Sequence, residues 1–185
     1  MNLKKFGIRE VVAIGIGTAL FIVLSYVAIP LGFIPNTALQ TRMALLGFFS
    51  AVYGPIVGGA VGLLGHALAD AIQYGSVWWS WVFPDAIFGI IVGLYASKYL
   101  IEQGGFKTKQ AVLFNVVQII GNAIAWIVVA PILDIVIYAE PVDKLLAQGT
   151  SAFILNSVIV GILGTLLAFA YTRVKAGSSS LSRED

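Results

Sequence analysis

Hydrophobic residues along this chain come in long runs broken by short polar or Gly/Pro-containing stretches, not in the two-residue alternation of a half-buried strand. About 20 largely apolar residues suffice for a helix to cross a bilayer. The run 11–29 meets that length and predicts a first spanning helix. Pro30, Gly32 and Pro35 then break it, and a semi-apolar loop leads into a second helix over 38–53. Gly54-Pro55 ends that helix and starts a third over 56–72, with proline suited to the first helical turn. A loop over 73–79 precedes a fourth helix reaching about residue 100. A polar turn over 102–109 leads into a fifth helix at 110–138, a loop covers 139–149, and a sixth helix runs from 150 to 172. The expected fold is therefore all-α: a polytopic membrane protein of six transmembrane helices. Residues 1–176 form one membrane domain, and the Ser-rich, charged stretch 177–185 is a disordered tail.

Composition supports this reading. Of 185 residues, 59% are hydrophobic and only 11% charged, against about 25% charged in a soluble domain. The mean hydropathy is +0.94. Without cysteine, neither a disulfide framework nor a thiolate metal site can form. The net charge of +2 gives no basic stripe for nucleic acid. Lys4, Lys5 and Arg9 before an apolar run resemble a signal peptide, but the run is too long for that and no soluble domain follows it.

Charge sets the expected orientation. With the N-terminus in the cytoplasm, Lys4, Lys5, Arg9, Lys98, Lys107, Lys109, Arg173, Lys175 and Arg183 all lie inside, and only Arg42 and Lys144 lie outside. Positive residues collect on the cytoplasmic side of membrane proteins. Both termini are thus expected to be cytoplasmic, as an even number of crossings requires.

Three features can carry chemistry. Gly58, Gly62, His66 and Asp70 recur four apart and so share one face of the third helix. Small residues there let another helix approach closely. His66 and Asp70 are ionisable groups inside the membrane, which marks them for a proton relay, a ligand contact or a structural hydrogen bond. Asn115, Gln118, Asn122 and Trp126 form a polar stripe on the fifth helix, which must face protein or a water-filled cavity. Gln118 and Asn122 fall toward the cytoplasmic half and suit helix–helix bonding. Trp126 is the better ligand candidate, and Asn156 is placed to complete an outward pocket. The outer loops bring Asn36, Gln40, Arg42, Tyr74, Trp78, Trp79, Tyr138, Glu140 and Asp143 to one side. Trp78, Trp79 and Trp81 fit either an interfacial aromatic belt or the wall of a site for a flat or large organic ligand. Arg42 fits either an anion contact or a snorkelling interfacial residue.

Small residues also recur on the first helix, in two pairs on roughly opposite faces: Gly15 with Ala19, and Ala13 with Gly17. One face can pack inside the bundle while the other meets a partner. The chain lacks a Walker-type nucleotide loop, the run of acidic residues of an ion-coupled pump, and a nucleophile–base arrangement. No enzymatic role, cofactor or metal site is expected, and any energy source lies in other chains.

Across nearly its whole length the chain resembles the S components of energy-coupling factor (ECF) transporters, in particular the family described as ECF-type riboflavin transporter, S component. The resemblance is carried by VAIGIGTAL at 12–20, IPN at 34–36, the stretch 48–65 with GPIVG at 54–58, and GHALAD at 65–70. It continues through GSVWWSW at 75–81, NVVQ at 115–118, APILD at 130–134, YAEP at 138–141 and GILGT at 161–165. It implies a six-helix membrane subunit that captures a vitamin on its outer side and topples to carry it inward. Its implied partners are a transmembrane coupling protein, the T component, and two ATPases. The family's docking motif on helix 1 is Ala-x-x-x-Ala, which Gly15 and Ala19 match here, with Ala13 and Gly17 as the other pair. Related S components serve cobalamin, folate, thiamine, biotin and pantothenate. Cobalamin is the first expectation here, because a short first loop and an aromatic, apolar mouth suit a bulky ligand held by shape. Riboflavin is the second.

Overall fold

The computed structural model describes residues 6–30 and 38–181. The helices are α1 (Ile8–Ser25), α2 (Arg42–Tyr53), α3 (Pro55–Tyr74), α4 (Trp79–Leu94) and the short α5 (Ala96–Tyr99). Two long helical rods follow, α6 (Thr108–Tyr138) and α7 (Val142–Ala176). Helical backbone continues from α7 to Leu181, past the Gly177 at which composition places a tail. Four of these helices, α1, α3, α6 and α7, are long and apolar enough to cross a membrane, while α2 and α4 are apolar but shorter.

Several boundaries differ from those the hydrophobic runs predict. The first helix stops at Ser25, whose hydroxyl donates to the Ile22 carbonyl at 2.6 Å and competes with continued helix. The β-branched residues beyond it enter strand β1 (Ala28–Pro30), which pairs antiparallel with β2 (Ala38–Gln40) in the register Ala28↔Gln40. The Thr41 hydroxyl closes this ribbon by donating to the Val27 carbonyl at 3.0 Å. Helix α2 therefore begins at Arg42 and not at residue 38. Helix α4 ends at Leu94, and α5 stands apart from it before Leu100 turns left-handed. At the other end of the chain α7 already starts at Val142, because Pro141 supplies an extended N-cap and Asp143 complements the positive helix start.

What joins the helices follows from the solvent. Lipid is as apolar as a leucine side chain, so close packing and hydrogen bonds, not water exclusion, hold membrane helices together. Between α3 and α4 backbones nearly touch: a Cβ on Gly58 would sit 2.4 Å from the Gly89 carbonyl oxygen, and one on Gly62 would sit 2.6 Å from that of Asp85. Gly54, at φ +98°, makes the α2–α3 reversal that a side chain would resist. Most of α2 is buried, so it forms the centre of the bundle. The outward faces of the others expose Val11, Ile16, Leu64, Leu68, Val116 and Ile162, a surface suited to lipid and not to water.

Helices α6 and α7 also contain wide, π-type turns, at Ile124–Val129 and Asp134–Tyr138 in α6 and at Val160–Gly164 in α7. Such turns re-aim side chains and recur at functional sites. Trp126 lies in the first of them and Asp134 opens the second.

Candidate functional site

At the end of the bundle where α1 gives way to the β ribbon, a connected polar cluster lies between α2, α3, α4 and α6. Arg42 opens α2, and its Nη2 lies 3.2 Å from His66 Nε2 on α3. A guanidinium can only donate, so Nε2 accepts and the ring hydrogen is left for Nδ1. Nδ1 lies 2.8 Å from Asp85 Oδ2 on α4. This contact is close but is not aligned as a hydrogen bond. Asp70 Oδ1, one turn on from His66, lies 3.5 Å from the same ring. The Arg42 guanidinium also stands 5.0 Å over the Phe21 ring of α1. All four polar residues are buried.

Trp78 extends the cluster. Its backbone N–H donates to Asp70 Oδ2 at 3.1 Å, and its indole N–H donates to Asp134 Oδ1 on α6 at 2.9 Å. Asp134 accepts two more bonds, from the Ser80 hydroxyl at 2.5 Å and from the Trp81 indole at 3.0 Å. The Trp78 ring stacks on Tyr138 with centroids 4.1 Å apart. The Tyr138 hydroxyl accepts from the Trp79 backbone N–H at 3.0 Å. Trp81 meets Trp126 edge-on at 5.5 Å and 87°. Beside them a small cavity, with room for about one water molecule, is lined by Trp81, Trp126, Asp134 and Pro131, and on α7 by Gln148 and Gly149.

The residues singled out from the sequence thus divide. Arg42, His66, Asp70, Trp78 and Tyr138 belong to one connected network, and Trp126 lines the cavity beside it. Trp79 is partly exposed, with its ring tilted against Phe83 at 5.8 Å. Tyr74 is 74% exposed at the end of α3. Gln40 sits half-buried on β2 with its Oε1 unpartnered, and Asn156 is buried in α7. Asn36 lies outside the described residues. Sequence reasoning missed Asp85, Ser80, Asp134 and Gln148. Asp85 and Asp134 are carboxylates inside apolar runs, a signal that costly intramembrane charge makes informative.

The remaining polar stripe of α6 is structural. Asn115 donates to the Thr165 hydroxyl of α7 at 2.9 Å, and Gln118 donates to the Ser157 carbonyl at 3.1 Å. The Asn122 amide returns to Gln118 Oε1 at 3.0 Å. No group of His, Asp and Glu among the described residues is arranged to hold a metal ion.

The two faces of α1 are distinct. Ala13 is 4% exposed, and a Cβ on Gly17 would meet Phe49 and Val61 at 2.8 Å. Gly15 and Ala19 face outward, and nothing lies within 4 Å of a Cβ placed on Gly15. Ala13 and Gly17, expected as partner-docking residues, are instead taken up by packing within the chain, because α1 turns their face onto α2 and α3.

Apolar helices closed around a buried polar and aromatic cluster are the build of an all-α membrane protein. Comparison with known proteins agrees. The family model for the ECF-type riboflavin transporter, S component, matches residues 5–173, and the chain belongs to that family, which is one of transporter subunits and not of enzymes. A UPF0397 protein of Exiguobacterium is 48% identical over 183 residues, covering 98% of this chain and 100% of its own length. A UPF0397 protein of Lactobacillus johnsonii is 46% identical over 184 residues, 99% of each chain. One from Streptococcus gordonii is 46% identical over 179 residues, 97% of this chain and 96% of its own. Membership supports a substrate-binding membrane subunit of an ECF transporter.

Proposed function

We propose that this protein captures a ring-bearing vitamin at the outer face of the cell membrane and delivers it through an ECF-type complex. It crosses the bilayer six times, with both termini in the cytoplasm, and α2 and α4 complete the crossings within a shell of longer helices. The observation that carries the reading is the network at one end of the bundle, where Arg42, His66, Asp70, Trp78 and Tyr138 converge beside a cavity lined by Trp126. Aromatic walls with a few fixed polar groups are the build of a small-molecule site. Its partners are a T component and two ATPases, met through the exposed Gly15 and Ala19 face of α1. Asn36, Gln40, Tyr74, Trp79 and Asn156 are proposed as further ligand contacts. Among substrates cobalamin comes first, for the aromatic mouth, and riboflavin second.

Calorimetric titration of the purified protein in detergent with cobalamin, riboflavin, folate and thiamine tests the proposal. Submicromolar binding of one vitamin without ATP is the expected result. Binding of none would overturn capture, and turnover of any of them by the protein alone would overturn the assignment as a transporter subunit.

A further inference from the structure

The aromatic residues at the start of α4 are aimed inward by one side chain. A tryptophan of an interfacial belt turns its indole N–H to the wet edge of the bilayer. Trp78 and Trp81 do the opposite. Both indoles donate to the buried Asp134, Trp78 to Oδ1 at 2.9 Å and Trp81 to Oδ2 at 3.0 Å. An indole nitrogen can only donate, so each side-chain oxygen of Asp134 serves as an acceptor. The Ser80 hydroxyl adds a third bond, to Oδ1. Asp134 opens the π-type turn of α6 and Tyr138 closes it. One wide turn therefore delivers Asp134 to the indole tips and Tyr138 to the Trp78 ring, where the two rings stack at 4.1 Å. The start of α4 has no side-chain cap of its own. Its Trp78 and Trp79 N–H groups are taken instead by Asp70 of α3 and Tyr138 of α6. Trp78 is thus pinned at its backbone, its ring tip and its ring face, yet it stays 40% exposed. A ring that is both fixed and open at the surface suits a preorganised binding wall.

We infer that Asp134 is the positioning residue of the capture site: by holding the Trp78 and Trp81 indoles it sets the aromatic wall before a ligand arrives, and Trp78 with Tyr138 is the stacked pair that the ligand meets. Through Trp81 it also sets Trp126, which Trp81 meets edge-on. The inference rests on the capture reading above and gives a role to a residue that touches no ligand itself. A ligand that meets a wall already in place is spared the cost of ordering it.

The four tryptophans of the chain are Trp78, Trp79, Trp81 and Trp126, so tryptophan signals report on this region alone. Asp134→Asn keeps the size of the side chain but has a single acceptor oxygen, and its NH2 would oppose an indole N–H. In the full-length protein in detergent it should weaken the tryptophan band of the near-UV circular dichroism while the far-UV spectrum stays that of the unaltered protein. In calorimetric titration with cobalamin, riboflavin, folate and thiamine in turn, the vitamin that binds should lose about tenfold in affinity, because two side chains must then be ordered on binding. Thr165→Val removes the hydroxyl that accepts from Asn115. It should lower the unfolding midpoint without moving the tryptophan band or the affinity, which separates position from stability. A folded Asp134→Asn that keeps the tryptophan band, or binds with undiminished affinity, would overturn the inference. If Asp134→Asn does not fold, Trp78→Phe and Trp81→Phe decide. Each keeps a ring, loses one N–H and should bind more weakly; undiminished binding by either would overturn the inference. If a vitamin binds the unaltered protein and the variants bind it as tightly, only the role of Asp134 falls. If no vitamin binds, the capture reading falls and this inference with it.

Discussion

At the scale of single residues, the cluster around His66 shows how buried charge is made tolerable. Arg42 is buried, and it stands against His66 and the Phe21 ring, with Asp70 and Asp85 close by. Breaking a buried charge arrangement by removing one partner costs about 3–5 kcal/mol, because the remaining charge is stranded. Asp85→Ala should therefore lower the thermal unfolding midpoint in detergent strongly. Asp70→Asn, which keeps a hydrogen-bond acceptor for the Trp78 N–H, should cost about 1 kcal/mol. Equal midpoints for the two variants would show that the charge of Asp85 is not needed. His66 and Asp70 stand four apart on one helix, so their proximity was readable from the sequence. Asp85 was not, because only the α3–α4 crossing brings it to the ring.

At the scale of elements, spacing told where small residues lie but not what they face. On α3 the Gly58 and Gly62 row meets α4 so closely that Gly89→Ala, whose Cβ would fall 2.3 Å from the Gly58 carbonyl oxygen, must push the helices apart. Overpacking of this kind costs about 1–3 kcal/mol, and a fall in unfolding midpoint measures it. On α1 the two faces should separate in one experiment. Gly17→Leu drives a side chain into Phe49 and Val61 and should destabilise the isolated subunit. Gly15→Leu points into open space and should leave its unfolding midpoint unchanged while reducing co-purification with the T component. Co-purification undiminished by Gly15→Leu would count against this docking face. The β ribbon of Ala28–Pro30 and Ala38–Gln40 and the π-type turns of α6 lay beyond a reading by period. The ribbon is built of residues as apolar as a helix end, and a π turn arises where tertiary packing rewards an extra residue in the coil.

At the scale of the whole molecule, orientation is the testable consequence of charge. The sequence holds no cysteine, so single cysteines report position without background. Lys107→Cys, in the basic turn before α6, should resist a membrane-impermeant thiol reagent applied to intact cells. Glu140→Cys, in the turn between α6 and α7, should react. The reverse pattern would invert the topology, and labelling of both would break the six-crossing count.

What the sequence determined by itself was the solvent: apolar runs too long and too poor in charge for water require a bilayer, while the basic residues between them give an expected orientation. These are local sums over consecutive residues, which need no partner. The tertiary structure alone decided which polar residues share a site and which small residues are spent on internal packing. Asp134 joins Trp78, Ser80 and Trp81 across more than fifty positions of sequence. Gly17 is buried while Gly15, two residues away, is open. Such contacts depend on how helices cross and rotate, and in a membrane that is settled by close packing and hydrogen bonding, not by the hydrophobicity that draws the runs into lipid.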